Sequence, residues 1–263
     1  MITASYSRLG EAQNIALLTL SLLLVPAFAY WMHRQERLGK PAIIPNSLWK
    51  NTAFTTACVA VFFTWAVFNA FQYFSTLFFQ RVQSLSALQT SLRFLPMVVV
   101  AAVTDIITGI PESKVHVRLL VSVTSAISLT SSIFMAPISP DSPYWTDAFF
   151  AMLLSAINPD TLFTVSNLLI ASAYPSNNGL AGGVFNVFAQ LGNLTGLAVT
   201  AAVAASVSAH LEGVGAGVVY GGGVFFEGYK ATVWICAASS MVLVTGMTWW
   251  GLRSGGKFGR KSD

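Results

Sequence analysis

Seven runs of apolar residues divide this sequence, at 14–32, 53–79, 91–110, 118–138, 147–174, 179–208 and 230–252. Each is close to the ~20 residues that a helix needs to cross the hydrocarbon core of a bilayer. A helix satisfies its own backbone groups there, where no water is available to do so, so Pro96 and Gly192 inside such runs are tolerated when neighbouring helices re-satisfy what they free. Composition agrees with this reading. The chain is 54% hydrophobic and only 9% charged, against about 25% charged in an ordinary soluble domain. A soluble chain of 263 residues would lack the charge to coat its surface. The predicted fold is all-α, a polytopic membrane helix bundle.

The basic residues orient it. Arg34, Arg37, Lys40, Lys50, Lys114, Arg118, Arg253, Lys257, Arg260 and Lys261 fall on one set of alternate connections, and Arg8, Arg81, Arg93 and Lys230 on the other. The positive-inside rule then predicts the N-terminus outside and the basic tail in the cytoplasm. The net charge of +4 follows from the same bias, and no basic cluster with interleaved aromatics suggests nucleic acid. A signal peptide over 1–29, ending in "AFA", is the competing reading of the first run. It would put the four basic residues of 33–51 outside and invert every later loop, and Glu11 sits badly in a positive leader. Cys58 and Cys236 both lie in apolar runs and are read as packing residues, with no disulfide, metal or cofactor. Asn193-Leu194-Thr195 matches a glycosylation sequon but lies within an apolar run, so no glycan is expected. "EGVGAGVVYGGGVFFEG", between the sixth and seventh runs, reads as a Gly-rich loop and not as a phosphate cradle.

Polar residues inside the runs carry the functional signal. Asp160 stands in "INPDTLFTVSN", near the middle of the fifth run. A charge at that depth costs about 2.5–3.5 kcal/mol on insertion scales, so it needs protonation, a partner or a water-filled cavity. A group able to take a proton from one side and release it to the other suits proton coupling. The alternative is that Asp160 caps a half-helix beginning after Asn158-Pro159, and the two roles are compatible. Asn167 lies within about 20° of the same helical face. In the sixth run Asn186, Gln190 and Asn193 share a face, as hydrogen-bonding glue between helices or as the lining of a solute path. Gly182, Gly183, Gly192 and Gly196 in the same run are small residues that permit close helix packing. In the second run Trp65, Asn69 and Gln72 share a face beside Tyr73, which suits either an aromatic core position or a cavity for an organic solute. Asp105 is read as approaching the cytoplasmic end of its run. The hydroxyls of the fourth run are expected to bond back to their own helix. Together the three stripes predict one shared wet interior.

Several stretches also resemble a known family. "LGKPAIIPNSLWKN", "LQTSLRFLPMVVV", "YWTDAFFAMLLSAINPDTLFTVSNLLIASAYP" and "LAGGVFNVFAQLGNLTGLAVTAAVAAS" are similar to the C-terminal part of fungal major facilitator transporters, nearest the 14-helix drug:proton antiporters of the aminotriazole- and boron-resistance type. The resemblance covers about residues 10–253. It implies that residues 14–32 are a linker helix within segment 1–51, that 52–253 form the six-helix C-terminal half as two inverted three-helix repeats, and that 254–263 are a basic cytoplasmic tail. It also implies that the N-terminal half is absent, in keeping with an odd helix count that starts outside. The family's cytoplasmic loop signature maps to Gly109, Lys114 and Arg118, with Ser113 where Asp is expected and Pro111 out of place.

The leading expectation is a transporter, a proton-coupled exporter of drugs or small toxic solutes. Asp160 would carry the proton and the amide faces would line the path. Its partners would be lipid, protons, the solute and a separate N-terminal half or second copy. The plasma membrane, or else the vacuolar membrane, would hold it. Because alternating access needs two bundles, an inactive transporter fragment is a further expectation. A seven-helix receptor has the same topology, but no Asp/Glu-Arg-Tyr follows the third run and Leu162 stands where a Tyr would follow Asn158-Pro159. An enzyme would need a nucleophile–base pair or a metal set within the runs, whereas His33, His116 and His210 lie outside them or at their ends.

Overall fold

A computed structural model describes residues 51–109, 117–135, 137–139, 142–174 and 178–213, with isolated positions between 19 and 49 and Gly246. The seventh run apart from Gly246, the tail 254–263, Lys114 and the side chain of Arg118 lie outside the described residues, as does much of the first run; its described positions from Thr19 onward are helical. The described chain forms α1 (Thr52–Leu77), a π-turn (Phe78–Val82), α2 (Ala87–Gly109), α3 (Val117–Met135), α4 (Ala148–Ser155), α5 (Ile157–Ala173) and α6 (Asn178–Gly213). Among the described residues there is no strand. Four stretches, Phe54–Val82, Ala87–Gly109, Ala148–Ala171 and Asn178–Val203, are long and apolar enough to cross a membrane, and Leu120–Met135 is a shorter apolar helix.

Local chemistry moves several boundaries away from where hydropathy alone puts them. α2 begins four residues before the third apolar run because Ser86 and Gln89 form a capping box: Gln89 N–H donates to Ser86 Oγ at 3.3 Å and Ser86 N–H to Gln89 Oε1 at 3.1 Å. α6 has 36 residues, about 54 Å at 1.5 Å per residue, so it continues past the apolar window that ends at Val203.

The fifth run is not one helix. It breaks at Ala156, between α4 and α5. Pro159 has no N–H to offer the Ser155 carbonyl four residues back, and its ring crowds that carbonyl. The break therefore falls before Asn158-Pro159, which lie in the first turn of α5, and not after them as the sequence suggests. The α3 hydroxyls brace this broken span instead of serving only their own helix. Ser131 Oγ donates to Ala151 O at 2.9 Å, while Ser125 and Thr124 donate to Asn158 Oδ1 at 3.0 and 3.3 Å. Of the apolar window in the broken span, 56% is buried, against 11% for α2. The broken span is thus the centre of the bundle, touching α1, α2, α3 and α6.

α1 and α6 meet backbone to backbone. A Cβ added at Gly192 would strike the Phe62 carbonyl, and one at Gly196 would strike the backbone of Ala66. The order of these contacts makes the two helices parallel. Gly182 and Gly183 do not share this role among the described residues, since a Cβ at either meets nothing within 4 Å. Among the described residues, the close approach expected of all four glycines is seen at Gly192 and Gly196.

Two apolar cores flank this crossing. One gathers Phe71, Phe74, Phe78, Phe79, Met97, Met135 and Met152; the other gathers Phe54, Cys58, Val61, Ile170, Val184 and Phe185. The first core is closed by the turn between α3 and α4. There the Arg93 guanidinium lies 5.1 Å from the centroids of both Phe79 and Tyr144 and donates to Gln83 Oε1, and the Tyr144 hydroxyl donates to the Arg93 carbonyl at 2.7 Å.

Candidate functional site

A cavity of about 720 Å³ opens between α1, α2, α5 and α6. That is within the ~300–1,000 Å³ of small-molecule sites. Trp65 from α1, Asp160, Phe163 and Asn167 from α5, and Asn186, Gln190 and Asn193 from α6 all line it. The break at Ala156 sets the position of Asp160 by restarting the helix, so that the acid falls in the first turn of α5. That turn exposes N–H groups that favour a negative charge. Asp160 does not cap the helix, however. Ala156 is the capping residue, with no side-chain bond, and Asp160 Oδ2 is buried without a hydrogen-bond partner among the described residues.

The amides divide into two groups. Asn69 Nδ2 donates across the α1–α6 contact to Asn193 Oδ1 and also, at 3.3 Å, to the Trp65 carbonyl; Asn193 Nδ2 passes the chain on to Gln190 Oε1 at 3.1 Å. Here the amides bind helix to helix. Asn167 donates back to the Phe163 carbonyl at 3.0 Å. Asn186 and Gln190 are exposed along the cavity wall.

Trp65, Asn69 and Gln72 do not open onto one space. Trp65 lines the large cavity, whereas Asn69, Gln72 and Tyr73 line a second of about 350 Å³ with Thr76 and Phe94. Asn193 belongs to both. Among the described residues the stripes expected to share one wet interior thus line two cavities that have Asn193 in common. Of the loop-signature residues, Gly109 ends α2 with open space around its Cα, and the other two lie outside the described side chains.

Sequence reasoning missed Asp105. It lines the large cavity with Asp160, and its Oδ1 accepts a hydrogen bond from Thr164 Oγ1 at 2.9 Å. The signal was present, since an acid inside an apolar run is what singled out Asp160. It was discounted because Asp105 is near the end of its run, and only the packing of α2 on α5 brings the two acids to one space. Among the described residues no group of three His, Cys, Asp or Glu side chains could hold a metal ion.

Long apolar helices around a polar, acid-bearing cavity define an integral, multi-pass membrane protein whose interior is suited to small solutes. The sequence profile of the Major Facilitator Superfamily matches residues 14–197, and the chain belongs to that family. It is 48% identical over 280 aligned positions to MFS-type transporter 1 of Pyricularia oryzae, covering 98% of this chain and 45% of that protein. It is 28% identical over 184 positions to the methylenomycin A resistance protein of Bacillus subtilis, covering 68% of this chain and 38% of that one. It is 24% identical over 163 positions to efflux pump terJ of Aspergillus terreus, covering 62% of this chain and 30% of the pump. The chain spans less than half the length of each of these relatives.

Proposed function

We propose that this chain is one bundle of a proton-coupled exporter of small organic or toxic solutes. It would correspond to the C-terminal half and linker helix of a 14-helix drug:proton antiporter. A single observation carries the reading: the Asp160 carboxylate, with an oxygen left unpartnered among the described residues, lines the same cavity as Trp65, Asn167, Asn186, Gln190 and Asn193. An acid at that depth is tolerated when protonation or a wet cavity relieves it, and alternate relief from two sides is what proton coupling requires. The amides and the indole supply hydrogen bonds and stacking for a solute. Relatives named as a transporter, a resistance protein and an efflux pump support the direction of transport.

Alternating access needs a second bundle to close the cavity. In this reading that bundle comes from further sequence, a separate half or a second copy. The distribution of basic residues favours an external N-terminus, a cytoplasmic tail and residence in the plasma membrane, with the vacuolar membrane as the alternative.

The test is export from energised vesicles that carry the chain together with its second bundle. Asp160→Asn removes the titrating group and keeps the shape, so proton-driven export is expected to fall to background at unchanged expression. Export at the wild-type rate in that variant would remove Asp160 from coupling.

A further inference from the structure

We infer that a single water molecule binds inside the bundle between α1, α3 and α5, where it ties the first turn of α5 to α1. Thr64 and Val67 from α1, Ser125 and Ser128 from α3, and Asn158 and Pro159 from α5 line a space of about 10 Å³. The centre of one water requires on the order of 10–15 Å³. This space shares no lining residue with either cavity described above. Its walls are polar and deep in the protein: Thr64, Ser125 and Asn158 are 3, 3 and 4% exposed. The Thr64 hydroxyl oxygen is buried with no hydrogen-bond partner among the described residues.

A buried hydroxyl left unpaired costs free energy, so a small polar guest is stabilised wherever there is room for one. Asn158 supplies the other end of the bridge. Its Oδ1 accepts from Ser125 at 3.0 Å and from Thr124 at 3.3 Å, which uses both lone pairs and leaves the two N–H donors of Nδ2 for a different acceptor. The Ser125 hydroxyl has given its proton to Asn158 and keeps lone pairs that can accept. A water here accepts from Asn158 Nδ2, donates to Ser125 Oγ and exchanges a hydrogen bond with Thr64 Oγ1. Three such bonds are typical of buried water. A metal cation suits the site less well. None of the described residues lining it is acidic, and a cation buried without a counter-charge costs far more than a neutral water. Asp160 follows Pro159 directly. The water therefore steadies, from its other side, the turn that carries the acid of the large cavity.

The experiment is a set of thermal melts of the purified full chain in detergent, chosen so that a wet site and a dry void give opposite signs. Val67→Ile adds one methylene to the wall. In a dry void it fills space and raises the melting temperature; in a water site it expels the water, leaves Thr64 and Asn158 unpaired, and lowers it. A fall of about 2–4 °C is expected, the shift of one lost buried hydrogen bond in a chain of this size. Thr64→Val is expected to fall by a similar amount and Thr64→Ser to melt as wild type does. Simple overcrowding by Val67→Ile would cost as much in a Thr64→Val background as alone, whereas loss of a shared water costs clearly less the second time. A rise in Val67→Ile, a Thr64→Val variant as stable as wild type, or full additivity of the two overturns the bridge. Equal melts in sodium chloride and choline chloride are expected, and stabilisation by sodium would give the site to a cation instead. A crystal structure of the full chain that resolves ordered water is expected to show one within hydrogen-bond distance of Asn158 Nδ2 and Thr64 Oγ1; a dry space there overturns the inference directly.

Discussion

Around Arg93 and around Asp160 the chain places one charged side chain each, and it surrounds them in opposite ways. The Arg93 guanidinium lies against the rings of Phe79 and Tyr144 and donates to Gln83 Oε1. Asp160 has a buried oxygen with no partner among the described residues and faces a cavity of about 720 Å³. A charge that only holds structure is answered by the protein itself, because an unanswered one costs stability. In the proposed function, the charge left open toward a cavity is answered by a proton that comes and goes. The contrast sets a structural clamp beside the proposed site.

The comparison breaks first at the clamp. Arg93→Met keeps much of the bulk but removes the cation–π pair and the charge-assisted bond, and leaves Gln83 Oε1 without its cation. It is expected to cost about 3 kcal/mol of stability, read as a lower melting temperature in detergent. Asp160→Asn, by contrast, should melt within a degree or two of wild type while losing proton-driven export. If Arg93→Met melted normally and abolished export, the roles assigned to the two charges would be reversed.

A second test concerns the close contact of α1 and α6. Gly192→Ala forces a methyl onto the Phe62 carbonyl, which is backbone and cannot rotate away. Overpacking of this kind costs about 1–3 kcal/mol. Gly183→Ala meets open space and gains helix propensity of up to about 1 kcal/mol, so it should be neutral or stabilising. Parallel melts of the two variants check the sign of each.

What the sequence made legible follows from how local the signal is. The apolar runs, the acid at 160 and the amide stripe at 186, 190 and 193 are properties of single helices, and the structure places helices over the runs it describes. The break at Ala156 was half legible. Asn158-Pro159 announced it, but which carbonyl the proline vacates fixes it three residues earlier than a capping argument suggests. The capping box at Ser86 and Gln89 is a local signal, but the hydropathy that delimits the runs rises only later in that helix. What depends on two helices at once was not legible. Asp105 became part of the site only because α2 packs on α5. Trp65 and Gln72 share a stripe on α1 yet line different cavities. Gly182 and Gly192 have the same chemistry and differ only in what lies opposite.

The smallest expected effect is also the sharpest test of the clamp. Tyr144 does two things for Arg93: its ring lies against the guanidinium and its hydroxyl donates to the Arg93 carbonyl at 2.7 Å. Burial raises the phenol above its ordinary pKa, and Arg93 pulls it back only in part, so the hydroxyl keeps its proton and remains a donor through the physiological range. Tyr144→Phe deletes the donor and retains the ring. The carbonyl it leaves is in the second turn of α2, where the Met97 N–H four residues on is in place to donate to it, so the loss should be about 0.5–1.5 kcal/mol, clearly less than for Arg93→Met. Combining the two substitutions tests whether they act as one unit. Contacts in one network need not add, so a combined loss smaller than the sum would mean that the guanidinium, by holding the Tyr144 ring, also holds its hydroxyl on the Arg93 carbonyl. A double variant whose melting shift equals the full sum would mean that the hydroxyl bond forms without help from the guanidinium.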